Sequence, residues 1–299
     1  MTRRNTKSAA GRLTWAISLM AIGCGPRTIE PVVQPTASAP PARLDWSDWG
    51  LALSRIVHED RVDYRRLQED PAPLDRFLAM SACVGPDSTP DQFADREARL
   101  AYAINCYNAM MVRSVLALDR QGKLPTHAPF DLESRYEFRI DGQSRSPGDL
   151  RRLAEVLAEG DWRVRLTLCD GTVEGPPLWR RVYLPEMLDA QLTYVARSAL
   201  TSPEVVRIDH GLDKRLLLWR GIYEIRDGLV QDYERRHQTN QATMLNVLGE
   251  WSNRTRREEL NSAIGYAVAP IPRDDRINHF EPPSEASGIL SIFSGLPGS

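Results

Sequence analysis

A long apolar run near the middle of the chain most strongly restricts the possible folds. Residues 100–118 contain no Gly or Pro, and Arg99 and Asp119 bound the run. Such a run predicts an α-helix, and a helix that is apolar on nearly all sides must be buried. Burial of each Leu, Ile, Val or Met there contributes roughly 1.5–3 kcal/mol. We therefore expect one central helix around which the other elements pack.

Four polar residues interrupt this helix: Asn105, Asn108, Arg113 and Ser114. Asn105 and Asn108 are three residues apart, so they lie on one side of the helix. Because a buried amide or guanidinium needs hydrogen-bond partners, we expect these side chains to bind the backbone of loops that cross the helix. The alternative is that Asn105, Asn108 and Arg113 form a binding or reactive site.

Shorter patterns on both sides predict further elements. The predicted helices are a segment from Asp45 or Ser47 to Ile56, and residues 71–82, 149–158, 185–199, 230–237 and 244–251. The predicted extended segments are a short piece ending at Leu67, and residues 136–140, 163–169, 205–208, 216–218 and 265–271. Capping residues, apolar periodicity and turn residues support these boundaries. We expect an α+β fold: a mostly helical single domain around the buried central helix, with a small, mainly antiparallel sheet.

The first 24 residues have the pattern of an export signal. Four basic residues stand among the first twelve, and an apolar segment at 13–23 follows. That segment is too short to span a bilayer comfortably. It ends in small residues before Cys24, which resembles the lipobox of bacterial lipoproteins; the alternative is a plain secretory signal with an incidental Cys. We expect a lipidated Cys24 to hold the domain on a membrane of the cell envelope, outside the cytoplasm.

The remainder divides by composition into three parts. Residues 25–43 contain five prolines among small and polar residues, which predicts an extended tether. Residues 44–281 form the predicted globular domain. Residues 282–299 are rich in Pro, Ser and Gly and predict a flexible tail.

Charge and motifs exclude several functional classes. A net charge of −2 gives no electrostatic support for nucleic-acid binding. The five histidines are scattered, and Cys-x-x-Cys, His-Glu-x-x-His and calcium-loop motifs do not occur, so no metal is expected. Glycine-rich nucleotide loops do not occur either, so we expect no cofactor.

The four cysteines are Cys24, Cys83, Cys106 and Cys169. With Cys24 lipidated, the other three allow at most one internal disulfide and leave one free thiol. Cys106 lies within the central helix and is expected to be a core residue. Cys169 is the best thiol for chemistry, but a structural role is the alternative because a reactive thiol needs a neighbour that lowers its pKa.

Six motifs occur in an order that resembles the family known as domain of unknown function 547, found in bacteria and plants. They lie at residues 60–67, 103–110, 138–150, 166–178, 188–192 and 274–278. The second, Ala-Ile-Asn-Cys-Tyr-Asn-Ala-Met, is the centre of the apolar helix. On this resemblance the chain is similar to a divergent, lipoprotein-like bacterial member. The resemblance implies no settled activity.

Three positions depart from the family pattern. Arg113 stands where the family usually has His, Gly175 where it has a second Cys, and Asp275 where it has Trp. The resemblance implies that Arg113 and Cys169 line one cleft. Arginine cannot accept a proton there, but it suits a carboxylate or phosphate. The alternative is that Arg113 pairs with a structural acid, such as Asp170 or Glu174.

Two functions remain. The first is a non-catalytic, membrane-tethered module that binds an envelope peptide, glycan or protein partner, with Asn105, Asn108 and Arg113 as candidate binding residues. The second is a thiol-dependent hydrolase or transferase that uses Cys169, with His279 or Asp274 as the candidate base. The two hypotheses differ in whether a base lies within hydrogen-bond reach of the thiol.

Overall fold

The structure is a computed structural model and describes residues 25–29 and 43–282. The predicted export signal with Cys24, most of the predicted tether and the tail from residue 283 lie outside the described residues. Where the tether segment is described, Arg27–Thr28 form a strand that pairs with Tyr136–Glu137 of the domain.

Within those ranges the chain forms eleven α-helices and eight short strands. The helices are α1 (Ser47–Ile56), α2 (Tyr64–Glu69), α3 (Ala72–Ser81), α4 (Arg96–Leu116), α5 (Leu132–Arg135), α6 (Pro147–Leu157), α7 (Leu188–Thr201), α8 (Arg220–Tyr223), α9 (Arg226–His237), α10 (Met244–Trp251) and α11 (Arg254–Asn261). The strands are β1 (Arg27–Thr28), β2 (Val57–His58), β3 (Arg61–Val62), β4 (Tyr136–Ile140), β5 (Gln143–Arg145), β6 (Val206–Asp209), β7 (Arg215–Leu218) and β8 (Ala267–Pro270). Three-residue or longer 3-10 segments lie at Pro90–Gln92, Trp162–Thr167 and Pro185–Met187.

The described strands form three small sheets rather than one. Their orders are β1-β4-β5, β2-β3 and β6-β7-β8. The pairs β2/β3, β4/β5 and β6/β7 are antiparallel, whereas β1/β4 and β7/β8 are parallel. Helices dominate, and the strands are short, so the predicted mostly helical α+β class is confirmed.

The predicted central helix is α4, and it begins four residues before the apolar run. Asp95 caps it, because its carboxylate accepts a hydrogen bond from the Ala98 N–H at 2.7 Å. Nearly every residue from Leu100 to Leu116 is buried. Helices α3, α5 and α6 pack against it. The helix is therefore the core of the domain, as its composition predicts.

The predicted turn between β4 and β5 and the predicted cap of α6 are both present in the structure. Asp141 and Gly142 join β4 to β5 with φ angles of 53° and 73°, values that Asp and Gly tolerate well. Ser146 and Asp149 form a capping box at the start of α6: each side chain accepts a hydrogen bond from the other residue's backbone N–H.

Two predicted extended segments are wrong. The piece ending at Leu67 is helix α2, because the Asp63 carboxylate caps it by accepting from the Arg66 N–H at 2.9 Å. Residues 163–169 are not a strand: Trp162–Thr167 form a 3-10 segment that packs against α7. Its apolar residues are buried, as the alternating pattern predicts. The backbone at its end, however, hydrogen-bonds to the Asn108 side chain instead of to a neighbouring strand.

Near its C-terminus the described chain returns to close the fold. We call residues 274–280 the closing segment. Its backbone hydrogen-bonds to Val62 of β3, to Thr126 in the loop after α4 and to Val173 in the loop after Cys169. These bonds are 2.8–2.9 Å long. The closing segment thus connects one strand and two loops that are far apart in sequence.

None of the described helices combines the length and apolar character that a membrane span requires.

Candidate functional site

Asn108 connects the central helix to the segment that contains Cys169. Its amide nitrogen donates to the Thr167 carbonyl at 2.9 Å, and its amide oxygen accepts from the Cys169 N–H at 3.0 Å. The side chain is buried. The amide nitrogen and the amide oxygen of Asn108 are therefore both hydrogen-bonded to backbone groups, and these buried groups depend on Asn108 because water does not reach them.

Asn105 makes the equivalent connection one turn earlier. It donates to the Tyr183 carbonyl at 2.8 Å and accepts from the Tyr183 N–H at 3.1 Å. Asn105 is fully buried. The prediction that both asparagines bind loop backbone is confirmed, and their amides are not free to bind a ligand.

Arg113 does not share a cleft with Cys169, and the predicted partners Asp170 and Glu174 are wrong. Its Nε atom lies 3.2 Å from Oδ1 of Asp75 on α3, and the Asp75 side chain is only 2% exposed. The side chain of Arg113 thus lies on the α3 side of the central helix. Arg113 is the partner of a buried acid.

Ser114, the fourth polar residue of the apolar run, is fully buried. Its hydroxyl has no hydrogen-bond partner among the described residues.

Cys169 is buried beside an amide. Its sulfur accepts a hydrogen bond from Asn278 Nδ2 at 3.5 Å, and Asn278 Oδ1 accepts one from the buried Tyr64 hydroxyl at 2.9 Å. Burial, followed by the neighbouring Asp170 carboxylate, raises the pKa of the thiol to about 12. Near neutral pH the thiol therefore stays protonated and is a poor nucleophile.

The two predicted bases do not contact this thiol. Nδ1 of His279 lies 3.3 Å from the Val62 carbonyl, and its ring lies beside Tyr64. The Asp274 carboxylate is bound by the Arg276 guanidinium, whose hydrogen bonds lower the pKa of Asp274. The closing segment therefore places the Asn278 amide beside Cys169, and it does not place His279 or Asp274 there.

The other two cysteines of the domain are also reduced. Cys83, Cys106 and Cys169 are free thiols, so the described residues contain no disulfide. Burial raises the pKa of the Cys106 thiol to about 12, in agreement with its predicted core position. No group of three or more His, Cys, Asp or Glu side chains in the described chain is arranged to hold a metal ion.

A small, strongly charged cavity opens next to Cys169, and we call it the charged cleft. Its volume is about 300 Å³. Among the described residues, its walls include four arginines and four acids: Arg151, Arg165, Arg220 and Arg273 with Asp170, Glu174, Glu224 and Asp275. Trp219 and Thr172 contribute to the remaining wall. The cleft is therefore polar and suited to a charged ligand.

Arg151 is held rigidly at one side of the cleft. It donates to Glu133 from Nε at 2.8 Å and also hydrogen-bonds the Tyr107 hydroxyl, with its guanidinium 5.0 Å from the Tyr107 ring centroid. Burial opposes the charge of Arg151, but Tyr107 and Glu133 more than offset it and raise the pKa of the guanidinium. A fixed positive charge thus stands on the central-helix side of the cleft.

The other three arginines of the cleft are held loosely. Arg220 Nε lies 3.8 Å from Glu174, and Arg165 lies 3.9 Å from Glu224. Arg273 has no carboxylate within ion-pair distance in the part of the chain that the structure describes. Side chains paired at such distances can exchange their partners for a ligand at little cost.

The order of these elements along the chain agrees with a known family. Residues 90–198 match the family described as Protein of unknown function, DUF547. The match supports the DUF547 family, and it runs from the turn before α4 into α7, so it contains both asparagines, Arg113 and Cys169. No curated protein and no solved structure matches the chain.

The structure gives a physical account of one departure from the DUF547 pattern. A Cβ atom added to Gly175, where the resemblance places a second Cys, would lie 2.0 Å from Oδ1 of Asp170. That oxygen is already held by the Thr172 N–H and hydroxyl at 2.9 and 2.8 Å. Any side chain at 175 would have to displace the carboxylate, so the observed position of Asp170 requires glycine at 175.

Sequence analysis missed the charged cleft. Tyr107 lies inside the second motif that resembles DUF547, and Arg151 directly follows the third, which is the one sequence signal that could have drawn attention to them. Arg165, Arg220 and Glu224 carry no such signal, since an isolated charged residue is most often a solvated surface group.

Proposed function

We propose that the protein is a lipid-anchored protein of the bacterial cell envelope that binds a charged peptide in the charged cleft and does not catalyse a reaction there. This proposal depends on the difference between Cys169 and the charged cleft beside it. Cys169, beside the cleft, is buried and protonated, whereas loosely held guanidinium groups line the cleft itself.

The charges of the cleft indicate the class of ligand. Arg220 and Arg273 can each bind a carboxylate through two parallel N–H groups. Glu174 and Glu224 can bind an amine. A short peptide with both charges fits this pattern better than a neutral glycan, which would leave the charges unpaired. A volume of about 300 Å³ is at the small end for ligand sites and suits one or two residues rather than a protein surface.

The environment of Cys169 argues against the thiol enzyme. Nucleophilic catalysis needs a thiolate or a base that can generate one. The Cys169 sulfur has Asn278 as its side-chain partner, and an amide cannot accept the proton. Removing the thiol should therefore leave ligand binding unchanged.

Binding can be tested by calorimetric titration with short synthetic peptides that contain Lys and Glu. Matched peptides with Gln in place of the Glu residues serve as the ligand control. We expect the charged peptides to bind and Arg220→Ala to weaken binding about tenfold or more, since it removes a charge-assisted hydrogen bond. Arg207→Ala, which removes an exposed arginine outside the cleft, should have no effect.

Cys169→Ala separates the two hypotheses in the same titration. The proposal expects unchanged affinity and no turnover of any peptide. Cleavage or transfer of a peptide by the wild-type protein that Cys169→Ala abolishes would overturn the binding function in favour of the thiol enzyme. Equal affinity of wild type and Arg220→Ala would place the ligand elsewhere.

The lipid anchor is tested separately. The small residues before Cys24, behind a basic and apolar segment, motivate it. Two or more acyl chains, at about 0.8 kcal/mol per buried methylene, would hold the protein stably on a membrane. Cells grown with a fatty-acid probe should label the wild-type protein and not Cys24→Ala. Equal labelling of the two would contradict the anchor.

A further inference from the structure

A second cavity carries an excess of positive charge, and we call it the basic cavity. Its volume is about 720 Å³, and it lies where the loop after α4 meets β1 and β4. Its charged lining residues are Arg27, Arg120, Lys123 and Arg135, with His127 and one acid, Asp119. Arg135 pairs with Asp131 at 2.8 Å, so Arg27, Arg120 and Lys123 carry the excess charge. Asp119 already accepts hydrogen bonds from Gln68 and from the Gly122 N–H.

A tight turn places two of these cations side by side. The backbone N–H of Arg120 donates to Lys123 at 3.0 Å, and that of Lys123 donates to Arg120 at 3.3 Å. Gln121 and Gly122 complete the turn with φ angles of 60° and 80°. Neither side chain has a carboxylate within ion-pair distance in the described parts of the chain, so both cations are available to an external anion.

The N-terminal end of the described chain lies at the same cavity. Arg27 lines it, held there because β1 pairs in parallel with β4. Cys24 precedes Arg27 by three residues, so an extended backbone keeps the two within about 11 Å. A lipid on Cys24 would therefore bring the basic cavity to the membrane surface, whatever path residues 30–42 take.

An apolar side chain stands at the edge of the cavity. Pro129 forms part of its wall, and the next residue, Phe130, is 91% exposed. An exposed aromatic ring beside cationic groups is the combination found on surfaces that bind the interface of a bilayer.

We propose that the basic cavity, with Phe130 at its edge, is a membrane-docking site that binds the phosphate groups of anionic phospholipids. The proposal rests on the lipid anchor of the proposed function, which brings this face to the bilayer. The cations attract the anionic surface, and Phe130 enters the interface between headgroups and acyl chains. The two cavities have no lining residue in common, but they adjoin, since His127 of the basic cavity lies 3.8 Å from Asp275 of the charged cleft.

The two lysines that follow Cys24 in the sequence, Lys123 and Lys214, make a direct test possible. Both are exposed, and Lys214 lies in the turn between β6 and β7, outside the basic cavity. The lipidated full-length protein is placed in vesicles of phosphatidylcholine alone or with 30% phosphatidylglycerol and treated with an amine-acetylating reagent. Mass spectrometry then gives the ratio of Lys123 to Lys214 modification.

We expect phosphatidylglycerol to lower this ratio at least fivefold relative to phosphatidylcholine vesicles. Phe130→Ser and Arg27→Glu with Arg120→Glu should each restore the ratio. The matched controls are Leu212→Ser, another fully exposed apolar residue, and Arg207→Glu, an exposed arginine outside the cavity; both should retain the protection.

Three outcomes would overturn the docking site. The ratio could be the same in both vesicles, inorganic phosphate could protect Lys123 as well as the lipid does, or the controls could act like the cavity variants. The second outcome would indicate a site for free phosphate. Fatty-acid labelling of the same samples distinguishes these results from failure of the lipid anchor. If the protein carries the fatty-acid label but Lys123 is not protected from acetylation, the anchor is present and the docking site is disproved.

Discussion

Replacing Asn108 with leucine will lower the free energy of unfolding by about 2–6 kcal/mol, because it leaves two buried backbone groups unpaired at about 1–3 kcal/mol each. Those groups are the Thr167 carbonyl and the Cys169 N–H. Leucine has the branched shape of asparagine but a larger volume, so the substitution leaves no cavity, and crowding adds to the loss of hydrogen bonding. Urea unfolding followed by circular dichroism measures it. Asn105→Leu, which leaves both backbone groups of Tyr183 unpaired, should have a similar effect.

Asn261→Leu is the matched control, since Asn261 is an exposed asparagine in α11. It should change stability by less than about 0.5 kcal/mol. If Asn108→Leu and Asn261→Leu unfold at the same urea concentration, Asn108 does not hold the Cys169 segment.

Replacing Arg113 with leucine will destabilise the protein by about 2–4 kcal/mol, because it leaves the Asp75 carboxylate buried without its partner. The expected loss is below that of a fully buried pair because Arg113 retains some exposure. Adding Asp75→Leu should recover at least half of the loss, since two apolar side chains can replace a buried ion pair. The four proteins form a double-mutant cycle, measured by urea unfolding.

Arg254→Leu is the control for this cycle. Its ion pair with Glu258 is exposed, so its loss should cost less than about 1 kcal/mol. Additive effects of Asp75→Leu and Arg113→Leu would mean that the two residues do not interact, and they would reopen a ligand-binding role for Arg113.

Local signals in the sequence account for much of the fold. The apolar run predicted α4, and the Ser146 and Asp149 pattern predicted the capped start of α6, because both depend on residues within one or two helical turns. The 163–169 segment was predicted wrongly as a strand. Its alternation correctly indicated which residues are buried, but a side chain 59 residues away decides its backbone conformation.

The sites depend even more on distant contacts. The sequence indicated that Arg113 needs a partner, and it could not identify Asp75, which is 38 residues earlier and on another helix. The charged cleft combines residues from α6, the loop after Cys169, α8 and the C-terminal region. No short-range pattern connects such positions, so only the packing of the helices brings them together.

The closing segment has a consequence for the order of folding. Tyr64 and Asn278 are 214 residues apart in sequence, and their hydrogen bond fixes the surroundings of Cys169. Contacts at such separation form late, because the intervening chain must first lose its conformational freedom. During synthesis from the N-terminus, Val62 and the loops after α4 and Cys169 lack these backbone hydrogen bonds until residues 274–280 emerge. The last described segment of the chain therefore controls when the surroundings of Cys169 become fixed.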